Sequence, residues 1–550
     1  MPKRVFFLPL CTCLCLSVLS QSPAKLPAVA LPSFKKDTLN IITLGARGDG
    51  SFLNTQPINK AISSLSAKGG GVVLIPHGLW LTGPLTLLSN INLHLQTGAT
   101  LLFTPDFSQY PLVEGNWEGL PQMRNQSPLS ASNAQNIAIT GHGIIDGNGD
   151  AWRMVKKDKL TQSQWQKLIA TPGGVLSDDK KTWFPTEKVR KGFGESNPGV
   201  IDGKKTAAYY DSVKDYLRPN LLVISDCKKI LLEGVTFQNS PAWCLHPLLS
   251  ADLTVRNIRV YNPWYAQNGD GIDVESCKNV LIENSVFDVG DDGLCMKSGR
   301  DEAGRKRARP TENVTIRGCT VYASHGGFVI GSEMSGGVRN VYVNNCTFIG
   351  SDIGLRFKSA RGRGGVVENI FISDIYMKNI PGDAILFDMY YAAKDPLPLA
   401  GEKRELPAIE YKKKDETTPV FRNFRISRVY VNGADRAVFI RGLPEQRVEG
   451  ITIRDMVIRS SRGIEVQEGS GLTFSKIRLD LSSGGPAIDL VQTEGSTFDS
   501  VSFVKPPSLW IRAAGDRLKG ISLIGSGVVA SKDNIKLEFG AKEEGLNIKQ

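Results

Sequence analysis

Asp270, Asp273, Asp291 and Asp292 share one stretch, Asn268 to Gly299, and occupy two Gly-punctuated turns. Carboxylates crowded together cannot all ionise freely, so one pKa rises and that group becomes a proton donor near neutral pH. A raised acid facing ionised bases suits inverting hydrolysis of a glycosidic bond. One carboxyl protonates the leaving oxygen while others activate water on the far face, and acid and base stand about 6.5–9.5 Å apart to admit that water. Asp pairs in glycine-rich turns also bind calcium or merely shape the turn, so the surrounding residues have to discriminate.

The step from Asp270 to Asp291 is 21 residues. His325 lies 33 residues beyond Asp292, and removing an 11-residue insert at 300–310 leaves 22, again one step. One step further on come Arg356 and Lys358. Residues i and i+2 of a strand face the same way, so both cations project together. Arg grips a carboxylate with two parallel hydrogen bonds and Lys adds a point charge, which implies a substrate carrying its own negative charge.

The elements that must position these residues are short strands. Between the two acidic turns, Val280, Ile282 and Val286 alternate with polar positions, reading as strand, turn, strand. A unit beginning Asn-[Val/Ile/Phe] recurs at Asn136, Asn279, Asn313, Asn340, Asn369 and Asn423, with degenerate copies at Ile451 and Leu472. Its spacings from 279 are 34, 27 and 29 residues. Strand-only repeats of this period predict an all-β chain, a right-handed parallel β-helix whose neighbouring strands lie about 4.8 Å apart, so that the acidic turns stack. The repeated Asn predicts a ladder of side-chain amides at one corner. Ile58, Ala61, Ile62 and Leu65 have helical spacing, ended by Gly69–Gly71 before the strand VVLIP at 72–76. This helix would cap the open end of the solenoid, which otherwise exposes core and strand edges.

The expected organisation is a signal peptide over 1–20, a leader over 21–37 and one β-helix from 38 to 550, with insertions near 152–218, 300–310 and 391–419. The signal rests on Lys3 and Arg4 before the apolar run Val5–Leu19, too short for a comfortable membrane span. It predicts a secreted or periplasmic protein; the flanks of Cys11, Cys13 and Cys15 suit a lipoprotein anchor poorly. The composition, 41% hydrophobic and 22% charged, is globular, and no later stretch is long and apolar enough to span a bilayer. Removing Lys3 and Arg4 from 66 basic residues leaves 64 against 55 acidic, a mature charge of +9 that favours acidic partners. Basic residues interleave with carboxylates instead of forming an uninterrupted patch, which argues against nucleic acid. Cys227, Cys244, Cys277, Cys295, Cys319 and Cys346 fall in apolar slots, read as buried small hydrophobes in preference to disulfides, and match no zinc spacing. The segment 500–550 reads equally as further coils or a tail.

Asn268-Gly269-Asp270, Gly290-Asp291-Asp292, His325-Gly326-Gly327 and Arg356-Phe357-Lys358 resemble, in order and at coil spacing, the four motifs of glycoside hydrolase family 28, the polygalacturonases. GARGDG near 45, GGGVVLIP at 69–76 and GHGIIDGNG at 141–149 extend the likeness over most of the mature chain. The resemblance implies a monomeric enzyme without metal or cofactor that inverts at α-1,4-galacturonosyl bonds of pectin, an acidic plant cell-wall polysaccharide. It implies Asp291 as general acid, Asp270 and Asp292 as activators of water, and His325 as tuner of the acid. Arg356 and Lys358 would hold the galacturonate carboxylate, with Asn268 binding the sugar beside the cleavage point. The family also places a tyrosine near the site, for which Tyr390 and Tyr391 both qualify. Gly269 stands where the family usually has Thr, Ser324 where it has Gly, and Phe357 where it has Ile.

The long insertions suggest that one end of the cleft is closed, favouring exo action. Rhamnogalacturonan and xylogalacturonan hydrolases are the nearest alternatives, and the Arg356–Lys358 pair speaks against the former. A pectate lyase would need a spaced calcium cage in place of Asp291-Asp292, and a non-catalytic pectin-binding β-helix would have no use for aligned acids, His and Arg-x-Lys.

Overall fold

The computed structural model describes residues 27–391, 410–528, 530–531 and 533–549. The signal segment, the leader to residue 26 and residues 392–409 of the third insertion lie outside them.

Three stacks of parallel strands wind around one core. One begins with Thr38–Asn40, Gly71–Ile75 and Ile91–Leu95, and continues through Gln135–Gly141, Lys228–Glu233, Ala251–Arg256, Lys278–Glu283 and Thr311–Arg317. A second runs from Gly78–Thr82 through Ala99–Phe103, Ile144–Asp146, Thr236–Gln238, Arg259–Tyr261, Val286–Asp288 and Thr320–Tyr322. The third, which carries the site, runs from Leu85–Thr86 and Leu129–Ser132 through Leu222–Ser225, Leu245–Leu248, Ile272–Glu275, Asp292–Lys297, Gly326–Ile330 and Leu355–Lys358. Parallel neighbours joined by crossovers at the predicted period make the expected β-helix.

Alternation sends one row of each strand inward. Leu253, Val280, Val314, Val341, Ile370, Phe424 and Ile451 are register partners on successive coils, and all are buried. Ile282 joins the core as read, but Val286 is only half-buried and Phe287 points inward in its place. The left-handed Asn284 (φ 50°) turns the chain between the two strands and resets the alternation.

The amide ladder forms. Asn423 donates to Asn369, Asn369 to Asn340, Asn340 to Asn313 and Asn313 to Asn279, at 2.5–3.2 Å, and Asn279 donates to Asp252 at 3.2 Å. Each of these residues has φ between 55 and 59°. The corner therefore needs a left-handed residue, which Asn tolerates, and each side chain then meets its copy on the next coil.

The capping helix spans Thr55–Ala67 and buries Ile58, Ala61, Ile62 and Leu65, as its spacing predicted. The C-terminal segment consists of further coils: Ile511 pairs with Ile535 and Ile521 with Leu546, continuing two of the stacks. Among the described residues, the six cysteines from Cys227 to Cys346 are free and buried.

The insertion at 152–218 folds into short helices at Gln162–Ile169, Glu187–Phe193 and Ala207–Ser212 beside a small antiparallel sheet, with Trp152, Trp165 and Trp183 buried. The insert after Gly299 is a helix, Asp301–Arg307. A further excursion had no counterpart in the sequence reading: an antiparallel hairpin, Leu112–Trp117 with Leu120–Asn125, leaves the coil before Leu129. Its tip reaches the segment after the strand Asp292–Lys297, where Arg300 pairs with Glu118 at 3.1 Å and donates its backbone N–H to the Gly119 carbonyl at 3.3 Å.

Candidate active site

Coil stacking brings the acidic turns together. The strand Ile272–Glu275 pairs with Asp292–Lys297 so that Asp273 faces Cys295, and Asp292 in turn faces Gly326. His325 donates its backbone N–H to the Asp291 carbonyl at 2.9 Å, so it lies in register with the acids once the helix Asp301–Arg307 is looped out. Val329 faces Arg356 on the next coil, and Lys358 follows Arg356 on the same side. One oxygen each from Asp270, Asp291 and Asp292 lie within 4.8 Å of one another. That approach is closer than the acid–base separation expected above, so carboxylate distance alone does not select inversion.

The turns need small residues to close. A Cβ on Gly290 would sit 2.4 Å from the Pro263 carbonyl oxygen, because the loop before Asn268 folds over the Asp291-Asp292 turn. A Cβ on Gly269 would meet Ala266 at 2.8 Å, which accounts for the glycine at this position. The other two departures also meet packing demands. Ser324 is buried and shares a hydrogen bond with Ser351 at 2.8 Å, and Phe357 fills the core against Phe328, Phe387 and Phe424.

The charges around the three acids differ sharply. Asp292 is buried, with Lys358 Nζ 2.7 Å from Oδ2 and Arg356 Nη1 3.2 Å from Oδ1. Burial alone pushes the Asp292 carboxyl up, but Lys358, Arg356 and Lys297 outweigh it and hold the group well below the usual carboxylate range. Asp270 is also buried, and its Oδ1 has no hydrogen-bond partner among the described residues. Burial, and then the charges of Asp273 and Asp291, push its pKa well up. Asp291 is the most exposed of the three, its side chain 22% accessible against 2% for Asp292. It accepts the Asp292 backbone N–H at 2.9 Å and lies 3.3 Å from His325 Nδ1. That contact raises the pKa of the half-exposed His325, whose Nε2 lies 3.8 Å from Asp352.

Beneath the acids lies a buried group outside the predicted site set. Lys297 bridges Glu333 at 3.0 Å and Asp273 at 3.5 Å, with its ammonium 4.7 Å above the Trp243 ring. Asp273 is fully buried, and burial drives its carboxyl up to about 8 against the opposing charge of Lys297. The register Glu275↔Lys297 is the one-coil step already visible between the acidic turns, so Lys297 carried a legible signal. Glu333 and Trp243 carried none.

Asn268 adopts a left-handed φ of 53°, and its Oδ1 accepts a hydrogen bond from Arg218 at 2.9 Å. The two tyrosines part company. Tyr391 lies beneath Lys358 and Arg356, 5.0 and 5.9 Å from its ring centre, whereas Tyr390 is buried against Arg361 and Arg441. The geometry therefore sets Tyr391 beside the two cations and Tyr390 behind them.

A hard cation would find few free ligands here. Lys358 and Arg356 engage both Asp292 oxygens, leaving Asp270 and Asp291 against the six to eight oxygens that calcium takes. The donor set fits acid–base work on a sugar better than a calcium cage.

The profile of glycosyl hydrolases family 28 matches residues 168–413. A probable polygalacturonase of Vitis vinifera is 30% identical over 358 residues, covering 63% of this chain and 62% of its own. An exo-poly-alpha-D-galacturonosidase of Dickeya chrysanthemi is 31% identical over 368 residues, covering 64% and 57%. The chain thus spans about three fifths of the length of these two relatives. The crystal structure of a hyperthermoactive exopolygalacturonase from Thermotoga maritima superposes with a TM-score of 0.66 at 33% identity, covering 82% of this chain and 94% of that one.

Proposed function

The chain belongs to glycosyl hydrolases family 28, and from that premise we propose that it hydrolyses α-1,4-galacturonosyl bonds of polygalacturonate, from a chain end and with inversion. The observation that carries the reading is the asymmetry of the crowded acids: Asp292 is held ionised by Lys358 and Arg356 while its neighbour Asp270 is pushed towards the protonated form.

Asp291, the acid most open to a ligand, donates its proton to the glycosidic oxygen as the C–O bond breaks. Asp292 takes a proton from the water that attacks the anomeric carbon, and Asp270 orients that water through its unpartnered Oδ1. This divides the two water-activating roles unequally, because a carboxyl held in the protonated form cannot take up the proton of the water, whereas the ionised Asp292 can. The product sugar carries the water oxygen, the leaving sugar carries the Asp291 proton, and the charge passes from Asp292 to Asp291. His325, cationic to higher pH than a free imidazole, stabilises the Asp291 carboxylate left behind.

Lys358 and Arg356, with Tyr391 beside them, suit a sugar carboxylate on the leaving side, where it would share the cations with Asp292. Exo action is supported by the hairpin that crosses towards Arg300 and stacks Trp117 on Trp243 at 4.6 Å, narrowing the groove on the side of the earlier coils. Secretion, or export to a periplasm, is supported by the basic start and apolar run at residues 3–19, and the enzyme would act as a monomer. No helix among the described residues is long and apolar enough to cross a membrane.

Product analysis on polygalacturonate with EDTA present tests the reading. Wild type should release saturated galacturonate monomer whose fresh anomeric signal by NMR is inverted, and Asp291→Asn should lose about 10²–10⁴-fold in kcat. Unsaturated product, a retained anomer or full activity in the variant would sink it.

A further inference from the structure

We propose that Arg124 and Arg218 form a second carboxylate-binding subsite, on the opposite side of the catalytic acids from Arg356 and Lys358, that grips the acid group of a galacturonate unit on the Asn268 side of the cleaved bond. The inference rests on the galacturonan-hydrolase reading of the same site.

Buried arginines elsewhere in the coils are matched by acids. Arg436 lies between Asp383 and Glu465, Arg512 between Asp489 and Glu538, and Arg153 against Asp150. Arg124 and Arg218 have no such partner among the described residues. Arg218 donates from Nη1 to the carbonyl oxygens of Pro241 and Gln267, both at 2.9 Å, and from Nη2 to Asn268 Oδ1 at 2.9 Å. Arg124 donates from Nη2 to the Arg218 carbonyl and lies 4.0 Å over the Trp117 ring. Glu118, the acid at the same hairpin tip, is drawn off by Arg300.

The buried Arg124 guanidinium thus sits against the backbone of the half-buried Arg218, and both guanidinium groups are satisfied by neutral oxygens and a ring face. A buried charge without a counter-charge is costly. Burial and the charge of Arg218 bring Arg124 down to about 9, and burial and the charge of Arg153 bring Arg218 to about 10, even though the more distant Glu118 opposes both shifts and Asp270 that of Arg218. An anion placed between them would relieve that penalty. A planar carboxylate matches the fork of a guanidinium through two parallel hydrogen bonds.

The location fits a sugar acid. Arg218 holds Asn268, two residues before Asp270, and so touches the catalytic turn directly. Arg124 lines a cavity of about 580 Å³ between the hairpin and the site sheet, together with Asn125, Ser130, Asn220 and His246. That volume and its mixture of hydroxyls, amides and apolar walls suit a sugar unit. Arg218 stands just before the strand Leu222–Ser225, on the earlier coils, whereas Arg356 and Lys358 stand on the coils after Asp292. In coil order the acids therefore lie between Arg218 and the Arg356–Lys358 pair, one cationic grip for each side of the scissile bond. A chain would be accepted only with free carboxylates on both sides.

The test uses Asp291→Asn enzyme, which keeps the groove while suppressing turnover, titrated calorimetrically with digalacturonate and with its dimethyl ester. The acid should bind at least 10-fold more tightly than the ester. Adding Arg218→Gln or Arg124→Gln should weaken the acid about 10-fold and leave the ester unmoved, shrinking the preference. In turnover by otherwise wild-type enzyme, the same substitutions should raise KM for trigalacturonate more than they lower kcat. Equal weakening of acid and ester would show arginines that merely pin the hairpin, and an unchanged preference would overturn the subsite; should a Gln variant not fold, Arg218→Lys and Arg124→Lys, which keep charge but not the fork, give the same comparison. Failure of the parent function reads differently: wild type would not cleave polygalacturonate, whether or not binding discriminates acid from ester.

Discussion

At the scale of single residues, the site is a problem in distributing few protons among many buried acids. Asp292 is ionised because two cations touch it, and Asp270 and Asp273 are raised because burial strips their water and their neighbours share their sign. Asp273 makes this measurable in stability. Its carboxyl titrates near 3.8 in an unfolded chain and near 8 in the fold, so between those values the folded state binds more protons. Its contribution to stability is therefore full below about pH 4 and is lost as pH rises through 8. Asp273→Asn removes the titration while keeping the shape. The variant's melting temperature should fall less than that of wild type between pH 5 and pH 8. A fall as steep as in wild type would show that other groups set the slope.

At the scale of elements, the corners matter as much as the strands. The asparagine ladder pins turns that require a left-handed residue, and it fixes the phase at which each following strand sends its side chains inward or outward. Asn313 donates to Asn279 and accepts from Asn340, so replacing it breaks two amide contacts. Asn313→Ala should destabilise by about 1–3 kcal/mol, the sum of those bonds and the strain of a Cβ-bearing residue at positive φ. Asn313→Gly, which carries no such strain, should cost less. Thermal melts of the two variants give the comparison, and equal losses would assign the effect to the amides alone. The repeat showed these corners in advance because each copy has the same type at the same offset. The hairpin at 112–125 escaped notice because it occurs once and its strands carry no repeat, and its role depends on where its tip lands.

At the scale of the whole molecule, the solenoid is a sum of nearest-neighbour interfaces, each coil covering the one before it. The helix Thr55–Ala67 covers the first coils, and the coils beyond residue 497 cover those before them. Removing residues 497–550 would uncover the row Phe474, Ile477 and Leu479, all buried in the full chain, together with unpaired strand edges. The truncated protein should elute from size exclusion as aggregate, whereas a soluble monomer would mean that the last coils are dispensable decoration.

The sequence by itself determined the coil. Apolar alternation marks most of the side chains that enter the core, the recurring Asn fixes the corners, and steps of about one coil place Asp270, Asp291, His325 and Arg356 on neighbouring coils. A parallel stack converts sequence period directly into spatial adjacency, which is why this part of the site was legible. What lay beyond the period was decided by tertiary structure. Whether Tyr390 or Tyr391 meets Arg356 and Lys358 depends on a single residue of phase at the end of a strand. The presence of Lys297 and Glu333 beneath the acids, and of Arg124 and Arg218 beside them, depends on segments far apart in sequence meeting over one sheet. Protonation is decided there as well, since the pKa of a carboxyl follows the water it loses and the charges it meets, and neither is written in its own stretch of chain.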